Sequence, residues 1–115
     1  PMFERDGYDV TIHVPITFSQ AVLGDDVEVP TVDGRIVQHI PEGTQSGTKF
    51  RLRGQGIQYL NGRGRGDQYV IVDVEIPKKV TRAQREALKA FEDSMKEDNY
   101  EKRKGFFKNL RDRFS

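Results

Sequence analysis

The sequence predicts a mainly β body with one short helix, followed by one or two C-terminal α-helices. In the first two thirds of the chain, short runs alternate apolar and polar residues, which is typical of half-buried strands. After Pro77 the apolar spacing changes to about 3.6 residues, the period of an α-helix. We therefore assign residues 1–77 to a β body and residues 78–115 to a helical segment.

The first predicted strand covers residues 8–15, where three β-branched residues alternate with polar ones. Thr17 is the expected N-cap of a short helical turn over Phe18–Leu23. Gly24 ends that turn, because glycine adopts positive φ without a steric penalty.

A hairpin is predicted next, with Asp33-Gly34 as its turn. This pair suits the tight turn in which both central residues have positive φ. The strands on either side contain residues 27–29 and 35–40, and we expect Pro30 to limit the ladder. Residues 41–47 form a loop by composition, and residues 49–53 form a brief strand.

Gly54 and Gly56 are expected to close that strand, and the glycine-rich, polar residues 58–67 are interpreted as a surface loop in which turn geometry requires the glycines. Residues 69–76 are β-branched at nearly every position, so they form the strongest strand candidate and are expected at the centre of a sheet. Pro77 is expected to end that strand.

Two amphipathic helices are predicted in residues 78–115. Thr81 and Gln84 have the spacing of a capping box, and an apolar stripe follows at Ala87, Leu88, Phe91 and Met95. After a polar break at residues 96–99, a second stripe contains Phe106, Phe107, Leu110 and Phe114. A short helix is marginal alone in water, so the second one needs a surface to pack on.

Composition limits the core and the chemistry. Of the 115 residues, 35% are hydrophobic and 32% charged, a lean apolar fraction that leaves some apolar surface for a partner. The absence of cysteine excludes disulfides, thiol chemistry and a zinc ribbon within this sequence. No run approaches the roughly 20 apolar residues of a membrane span, and the first residues lack a signal-peptide pattern. We expect a cytoplasmic protein without a membrane partner.

Charge is distributed unevenly along the chain. Residues 1–77 contain 7 Lys/Arg against 11 Asp/Glu, a net charge of −4. Residues 78–115 contain 12 Lys/Arg against 7 Asp/Glu, a net charge of +5. Such asymmetry can indicate a nucleic acid or an anionic membrane as partner, but a basic tail that docks beside the acidic body of its own or a second copy is equally consistent.

No catalytic or metal-binding constellation is recognisable. His13 and His39 lie on the polar phase of their strands, which favours exposed histidines without a catalytic role. Glu42 and Asp67 fall in loops and are expected to be solvated surface carboxylates. No histidine pair has zinc-ligand spacing, and Asp25-Asp26 lacks the periodicity of a calcium loop. The sequence therefore predicts no enzyme activity and no cofactor.

One alternative function uses the arginine- and glycine-rich loop. In this interpretation the chain is a nucleic-acid-binding β-barrel that combines cationic side chains with aromatic stacking surfaces. The residues would be Arg51, Arg53, Arg63, Arg65, Tyr59 and Tyr69. Turn chemistry explains the same glycines, so nucleic acid is not the expected partner.

A series of motifs in the β body resembles the second C-terminal β-subdomain of the DnaJ family of co-chaperones. The similar motifs, in order, are residues 1–7, Val14-Pro15-Ile16, residues 21–24, residues 27–31, Asp33-Gly34, Ile40-Pro41, residues 43–45, Gly47, residues 50–54, Gly56, Gly66-Asp67 and residues 72–77. The likeness covers roughly two thirds of the chain, and the helical tail is similar more loosely.

The resemblance implies a twisted two-layer, sandwich-like β fold with one short helix, followed by helices used for dimerisation. It implies a homodimer that holds unfolded polypeptide clients and supports their delivery to an ATP-driven heat-shock chaperone. The family's J domain, with its His-Pro-Asp tripeptide, and its cysteine-rich zinc module do not occur in this sequence. The expected function is a dimerisation and client scaffold.

The candidate dimer interface follows from these two arguments. By resemblance to the helix after the last strand, Val80, Leu88 and Phe91 are expected at the interface. By pattern, Met95, Phe106, Phe107, Leu110 and Phe114 join them. Leu88, Phe91 and Met95 fit equally the buried face of a helix that lies on the sheet.

Overall fold

The computed structural model describes residues 2–115, which contain six strands, three α-helices and one 3₁₀ helix. The strands are β1 Phe3–Asp6, β2 Asp9–Ile16, β3 Asp25–Thr31, β4 Gly34–Ile40, β5 Lys49–Leu52 and β6 Gln68–Val74. The helices are α1 Phe18–Leu23, α2 Arg82–Ser94, the 3₁₀ helix Glu97–Asn99 and α3 Glu101–Phe114. The chain divides into two compact units between Ile76 and Pro77. The predicted class, mainly β with C-terminal helices, is confirmed.

The strands form two sheets. One has the order β1-β2-β6-β5, and the other is the β3–β4 hairpin. β6 lies between β2, to which it is parallel, and β5, to which it is antiparallel. The predicted central position of the β-branched strand is therefore confirmed.

The core lies between the two sheets. Val70 and Val72 of β6 are fully buried in one cluster with Val29 and Ile40 of the hairpin. Each such side chain contributes roughly 1.5–3 kcal/mol of transfer free energy when it is buried. This shared cluster makes the β body a two-layer sandwich, as the resemblance implied.

The hairpin is present, but its turn differs from the predicted one. The register pairs Thr31 with Gly34, so the two loop residues are Val32 and Asp33. Neither has positive φ, and Gly34 is a strand residue without positive φ. Pro30 also lies inside β3, paired with Arg35. The Asp33-Gly34 pair therefore predicted the hairpin correctly but placed its turn one residue too late in the chain.

The short helix forms as predicted. Thr17 Oγ1 accepts a hydrogen bond from Gln20 N–H at 3.0 Å, and Gln20 Oε1 accepts one from Thr17 N–H at 2.9 Å. This is a capping box. Gly24 ends α1 with φ of 79°, and a Cβ there would lie 2.9 Å from Ile40 O. Both observations require glycine at this position.

Two strand boundaries differ from the sequence-based expectation. β1 was not predicted, because Phe3–Asp6 is mostly polar and pairs only at the edge beside β2. β6 ends at Val74, before Pro77, although Glu75 N–H still donates to Ile16 O at 2.9 Å. The predicted strand, which runs to Ile76, therefore ends two residues too late.

The helical unit starts at the predicted capping box. Thr81 Oγ1 accepts from Gln84 N–H at 3.2 Å, and Gln84 Oε1 accepts from Thr81 N–H at 2.7 Å. The polar break contains the 3₁₀ helix, in which Lys96 N–H donates to Asn99 Oδ1 at 2.8 Å. None of the side chains in residues 77–115 is buried. Both predicted helices are present, and neither has a core of its own.

Candidate functional site

Asp67 anchors the glycine-rich loop. Its carboxylate accepts hydrogen bonds from Gly54 N–H at 2.9 Å and from Arg51 Nε at 2.8 Å. The Gly54 N–H and then the Arg51 guanidinium hold the pKa of Asp67 below its ordinary value. The side chain is only 17% exposed. The expectation that Asp67 is a solvated surface carboxylate was wrong, because the loop folds around it.

Further contacts fix the rest of this loop to the β body. Arg65 forms an ion pair with Asp33 that lowers the pKa of that carboxyl. Tyr59 packs edge-on against Tyr8, with ring centroids 5.2 Å apart. Gly56 and Gly66 pass so close to Tyr8 O that no side chain fits at either position. Turn geometry, as predicted, requires Gly62 and Gly64, which have φ of 71° and 89°, whereas close backbone approach is the reason at Gly56 and Gly66.

Several residues that the nucleic-acid alternative would use are already engaged in contacts within the β body. Arg51 and Arg65, two of its four arginines, are held in ion pairs with Asp67 and Asp33. The Tyr69 ring is covered by Lys49, whose Nζ lies 4.5 Å from the ring centroid. These groups stabilise the loop and sheet instead of forming a free cationic stacking surface.

Both histidines take part in cross-strand pairs. His13 Nδ1 lies 2.7 Å from Asp73 Oδ2, and His39 Nδ1 lies 2.8 Å from Asp26 Oδ1. The side chains are exposed, 50% for His13 and 72% for His39. Neither ring hydrogen-bonds a serine or threonine in the described part of the chain. Their predicted exposure is confirmed, and each links two neighbouring strands.

Residues 2–115 contain neither a metal-binding cluster nor a membrane-spanning helix. In that range, no group of three or more His, Cys, Asp or Glu side chains is arranged to hold a metal ion. No helix in the same range has the length and apolar character needed to span a bilayer.

The first part of the predicted interface lies on α2 and just before it. Leu88 is 59% exposed, and Val80 is 40% exposed. Phe91 and Met95 are half-buried, and Met95 is the C-cap residue of α2 instead of a member of its last turn. Leu88 therefore offers the most open apolar side chain on this helix.

The second part of the predicted interface lies on α3. Phe106 is 63% and Phe114 78% exposed, and Leu110 lies between them on the same face. Phe107 is half-buried, because Phe106 packs edge-on against it with centroids 5.0 Å apart and Arg103 lies over its ring. A shallow cleft at Phe106 and Leu110 is bordered by Arg113. We call Phe106, Leu110 and Phe114 the α3 stripe.

Ion pairs hold the start of α3 against the 3₁₀ helix. Lys104 pairs with Asp98, which raises the pKa of Lys104 and lowers that of Asp98. Arg111 Nη2 lies 3.9 Å from Glu97 Oε1. These contacts orient the helix from its polar side. They leave the α3 stripe exposed.

Most of the predicted interface residues are exposed to solvent. Val80, Leu88, Phe106, Leu110 and Phe114 are exposed, whereas Phe91, Met95 and Phe107 are half-buried. Sequence reasoning missed a second exposed apolar group, Phe18, Val22 and Leu23 on α1. The sequence offers no clear signal for this group, because a six-residue helix is too short to show which residues face outward; in the structure Ala21 is the buried residue.

Comparison with known proteins gives two matching family models. Residues 1–77 match the model of the DnaJ C terminal domain. Residues 83–115 match the model of the Chaperone protein DnaJ C-terminal region. Together the two models cover most of both units described above.

Curated relatives agree with these models. A "Chaperone protein DnaJ" of Ruminiclostridium cellulolyticum is 52% identical over 99% of this chain and 30% of the relative. The proteins of that name from Clostridioides difficile and Listeria monocytogenes are 50% and 48% identical, over 99% and 97% of this chain and 30% of each relative. The chain thus spans about three tenths of the length of these relatives. With identities near one half along nearly its whole length, the chain belongs to the DnaJ family, in whose C-terminal part its two units lie.

Proposed function

We propose that this chain is the dimerisation and client-scaffold module of a DnaJ-type co-chaperone. Two copies associate through the apolar faces of α2 and α3. The paired β bodies then hold unfolded polypeptides for delivery to an ATP-driven heat-shock chaperone. The module needs no cofactor for this role, and its place of action is the cytoplasm.

One observation carries the proposal, namely that none of the side chains in residues 77–115 is buried. A helix of 13 or 14 residues, the lengths of α2 and α3, is marginal in water without tertiary packing. Large apolar side chains such as Leu88, Phe106 and Phe114 remain open to solvent. A second protomer supplies the missing packing surface.

Dimerisation also supports the client-binding role. A polypeptide held by one body meets the second body at high effective concentration, so its overall affinity exceeds that of one site. The family match and the name of the relatives, "Chaperone protein DnaJ", support a folding-assistance role for the module. Bivalency would be the physical contribution of the helical unit.

Sedimentation equilibrium of the 115-residue chain tests the dimer. We expect a monomer–dimer equilibrium that Phe106→Ala combined with Phe114→Ala shifts toward monomer. Leu60→Ala is the matched control, because Leu60 is 93% exposed but lies in the glycine-rich loop. A chain that stays monomeric at high micromolar concentration would contradict the proposal.

Suppression of client aggregation tests the scaffold. The chain is mixed with a chemically denatured client protein during dilution, and light scattering is recorded. We expect the wild-type chain to reduce scattering, and the Phe106→Ala, Phe114→Ala variant to be weaker at equal protomer concentration because it is no longer bivalent. Equal suppression by the wild-type chain and the variant would show that client binding does not depend on dimerisation.

A further inference from the structure

The tip of the glycine-rich loop contains the dipeptide Asn61-Gly62. Both residues are exposed. The chain folds back on itself at this point, because Tyr59 N–H donates to Gly64 O at 3.0 Å. A Cβ built on Gly62 would meet nothing within 4 Å. The space around this peptide bond is therefore open to solvent.

An asparagine followed by glycine contains both partners of an intramolecular reaction. The backbone nitrogen of the second residue can attack the side-chain carbon Cγ of the first, which closes a succinimide ring. A side chain on the attacking residue hinders this approach, and glycine has none. The sequence has three asparagines, of which Asn61 alone precedes a glycine; Asn99 precedes Tyr100 and Asn109 precedes Leu110.

Two hydrogen bonds act on the reacting atoms. Arg63 N–H donates to Asn61 Oδ1 at 2.9 Å. Negative charge develops on this oxygen when Cγ is attacked, so the bond lowers the barrier. Gly62 N–H donates to Tyr59 O at 2.9 Å, and this second bond must break before the nitrogen can react. It belongs to a short turn at an exposed loop tip, where local opening requires far less free energy than global unfolding.

The other two asparagines are restrained by helical structure. Asn99 Oδ1 is bound by Lys96 N–H at 2.8 Å, and Tyr100 N–H is itself hydrogen-bonded. Asn109 lies within α3, where the backbone N–H of the next residue belongs to the helical ladder. Both residues also precede a large side chain. They therefore serve as internal controls in the same chain.

We propose that Asn61 is a site of spontaneous backbone modification in the folded protein. The Gly62 nitrogen forms a bond to Asn61 Cγ, the Cγ–Nδ2 bond breaks, and ammonia leaves with the proton that the nitrogen gives up. Water then opens the succinimide at either carbonyl, which yields aspartate or isoaspartate. The reaction consumes only water. It is independent of the dimerisation and client-scaffold function proposed above.

The products differ from Asn61 in charge and in backbone length. Either product adds a carboxylate beside Arg63, and isoaspartate also inserts a methylene group into the main chain. The base of the loop is held separately, because Arg65 pairs with Asp33. The β body therefore keeps its fold while the tip changes. The isoaspartate form is a substrate for an isoaspartate carboxyl methyltransferase, which transfers a methyl group from S-adenosylmethionine to the new carboxylate.

Timed incubation of the folded 115-residue chain tests the proposal. The chain is kept at neutral to mildly alkaline pH, below its thermal transition, and is digested with trypsin at intervals. Cleavage after Arg53 and Arg63 places Asn61 on a peptide without another asparagine or an Asp-Gly pair. We expect this peptide to gain the mass of an amide-to-acid conversion at least about tenfold faster than the peptides containing Asn99 and Asn109. The rate should rise with pH, because the deprotonated nitrogen is the nucleophile.

Two variants and two chemical probes identify the succinimide route. Gly62→Ala should slow the conversion by about tenfold or more, and Asn61→Gln should remove it, because glutamine would have to form a larger ring. Circular dichroism checks that both variants fold. Hydroxylamine, which cleaves at a succinimide, should split the wild-type chain after Asn61 and leave Asn61→Gln intact. Methyl transfer by a purified isoaspartate methyltransferase should increase with incubation time on the peptide that contains Asn61.

Three results would overturn the proposal. The first is a folded chain in which Asn61 stays unchanged while the urea-unfolded chain reacts, since the loop would then protect this residue. The second is an equal rate at Asn61, Asn99 and Asn109. The third is conversion to aspartate alone without hydroxylamine cleavage, because direct hydrolysis of the amide does not pass through the ring. None of these results bears on dimerisation.

Discussion

Gln68 donates its side-chain amide to the backbone carbonyl of Pro30 at 2.8 Å, which joins the central strand of the large sheet to the hairpin across the core. Gln68 is fully buried. Its Oε1 accepts no hydrogen bond from any group in residues 2–115. One side chain thus makes a cross-layer bond and leaves a polar atom unpaired in the same place.

Replacing Gln68 separates these two effects. Gln68→Leu removes the unpaired oxygen, which costs about 1–3 kcal/mol when buried, but it also takes the donor from the Pro30 carbonyl, at a similar cost. We expect the free energy of unfolding to change little. Gln68→Ala loses the same bond and leaves a cavity, so it should destabilise by about 2 kcal/mol or more. Urea unfolding of both variants measures the difference, and a Leu variant less stable than the Ala variant would refute this account.

Gly66 is the tightest point of the β body. A Cβ at this position would lie 2.1 Å from Tyr8 O, a backbone atom that cannot move without β2. Gly66→Ala should lower the free energy of unfolding by several kcal/mol, among the largest effects of single substitutions. Gly34→Ala is the control, because a Cβ there meets nothing within 4 Å and φ is not positive. Urea unfolding should place this control within about 0.5 kcal/mol of wild type.

Periodicity predicted the elements that have a buried face. β2 and β6 alternate or are continuously β-branched because the hairpin covers them, and the capping boxes at Thr17 and Thr81 mark where α1 and α2 begin. β1 has no such signal, because an edge strand of mostly polar residues is specified by its partner. Its existence follows from the register with β2 and not from its own composition.

The candidate site was only partly predictable for a related reason. Amphipathic spacing identifies the apolar residues of a helix, such as Leu88 and Phe106, but not whether the rest of the chain covers them. Whether they are covered depends on tertiary packing. Tertiary packing also explains why Asp67 is not the solvated carboxylate that the sequence suggested. The exposed apolar residues Val22 and Leu23 of α1 were missed because a six-residue helix is too short for its pattern to show which residues face outward.

Asp67 should make the body sensitive to acid. The bonds from Gly54 and Arg51 depress the pKa of the folded carboxyl below its ordinary value of 3.8. The stability it contributes is therefore complete above that ordinary value and is lost as the pH falls through the folded pKa. Asp67→Asn should be less stable at neutral pH and show a shallower loss of stability below pH 3.8. Urea unfolding at several pH values measures this. An equal pH dependence of the free energy of unfolding in the wild type and in Asp67→Asn would contradict the account.

The two capping boxes allow a matched comparison. Thr17→Ala and Thr81→Ala each remove the hydroxyl that accepts the N3 amide, a loss of about 1 kcal/mol. Because α1 is part of the β body, Thr17→Ala should lower the urea midpoint of the body. Thr81→Ala should leave that midpoint unchanged and reduce helicity by circular dichroism. A shift of the body midpoint by Thr81→Ala would show that the two units unfold together.

Gly105 lies within α3 and has no packing role, since a Cβ there would meet nothing within 4 Å. Glycine in a helix interior is about 1 kcal/mol less favourable than alanine. Gly105→Ala should therefore raise the helicity of the chain in circular dichroism. If α3 orders only when it binds a second copy, the substitution also lowers the entropy lost on association, so the dimer should tighten by up to about fivefold. Unchanged helicity would mean that α3 is already fully helical in the monomer, and a rise in helicity without tighter association would mean that the ordering of α3 is not coupled to association.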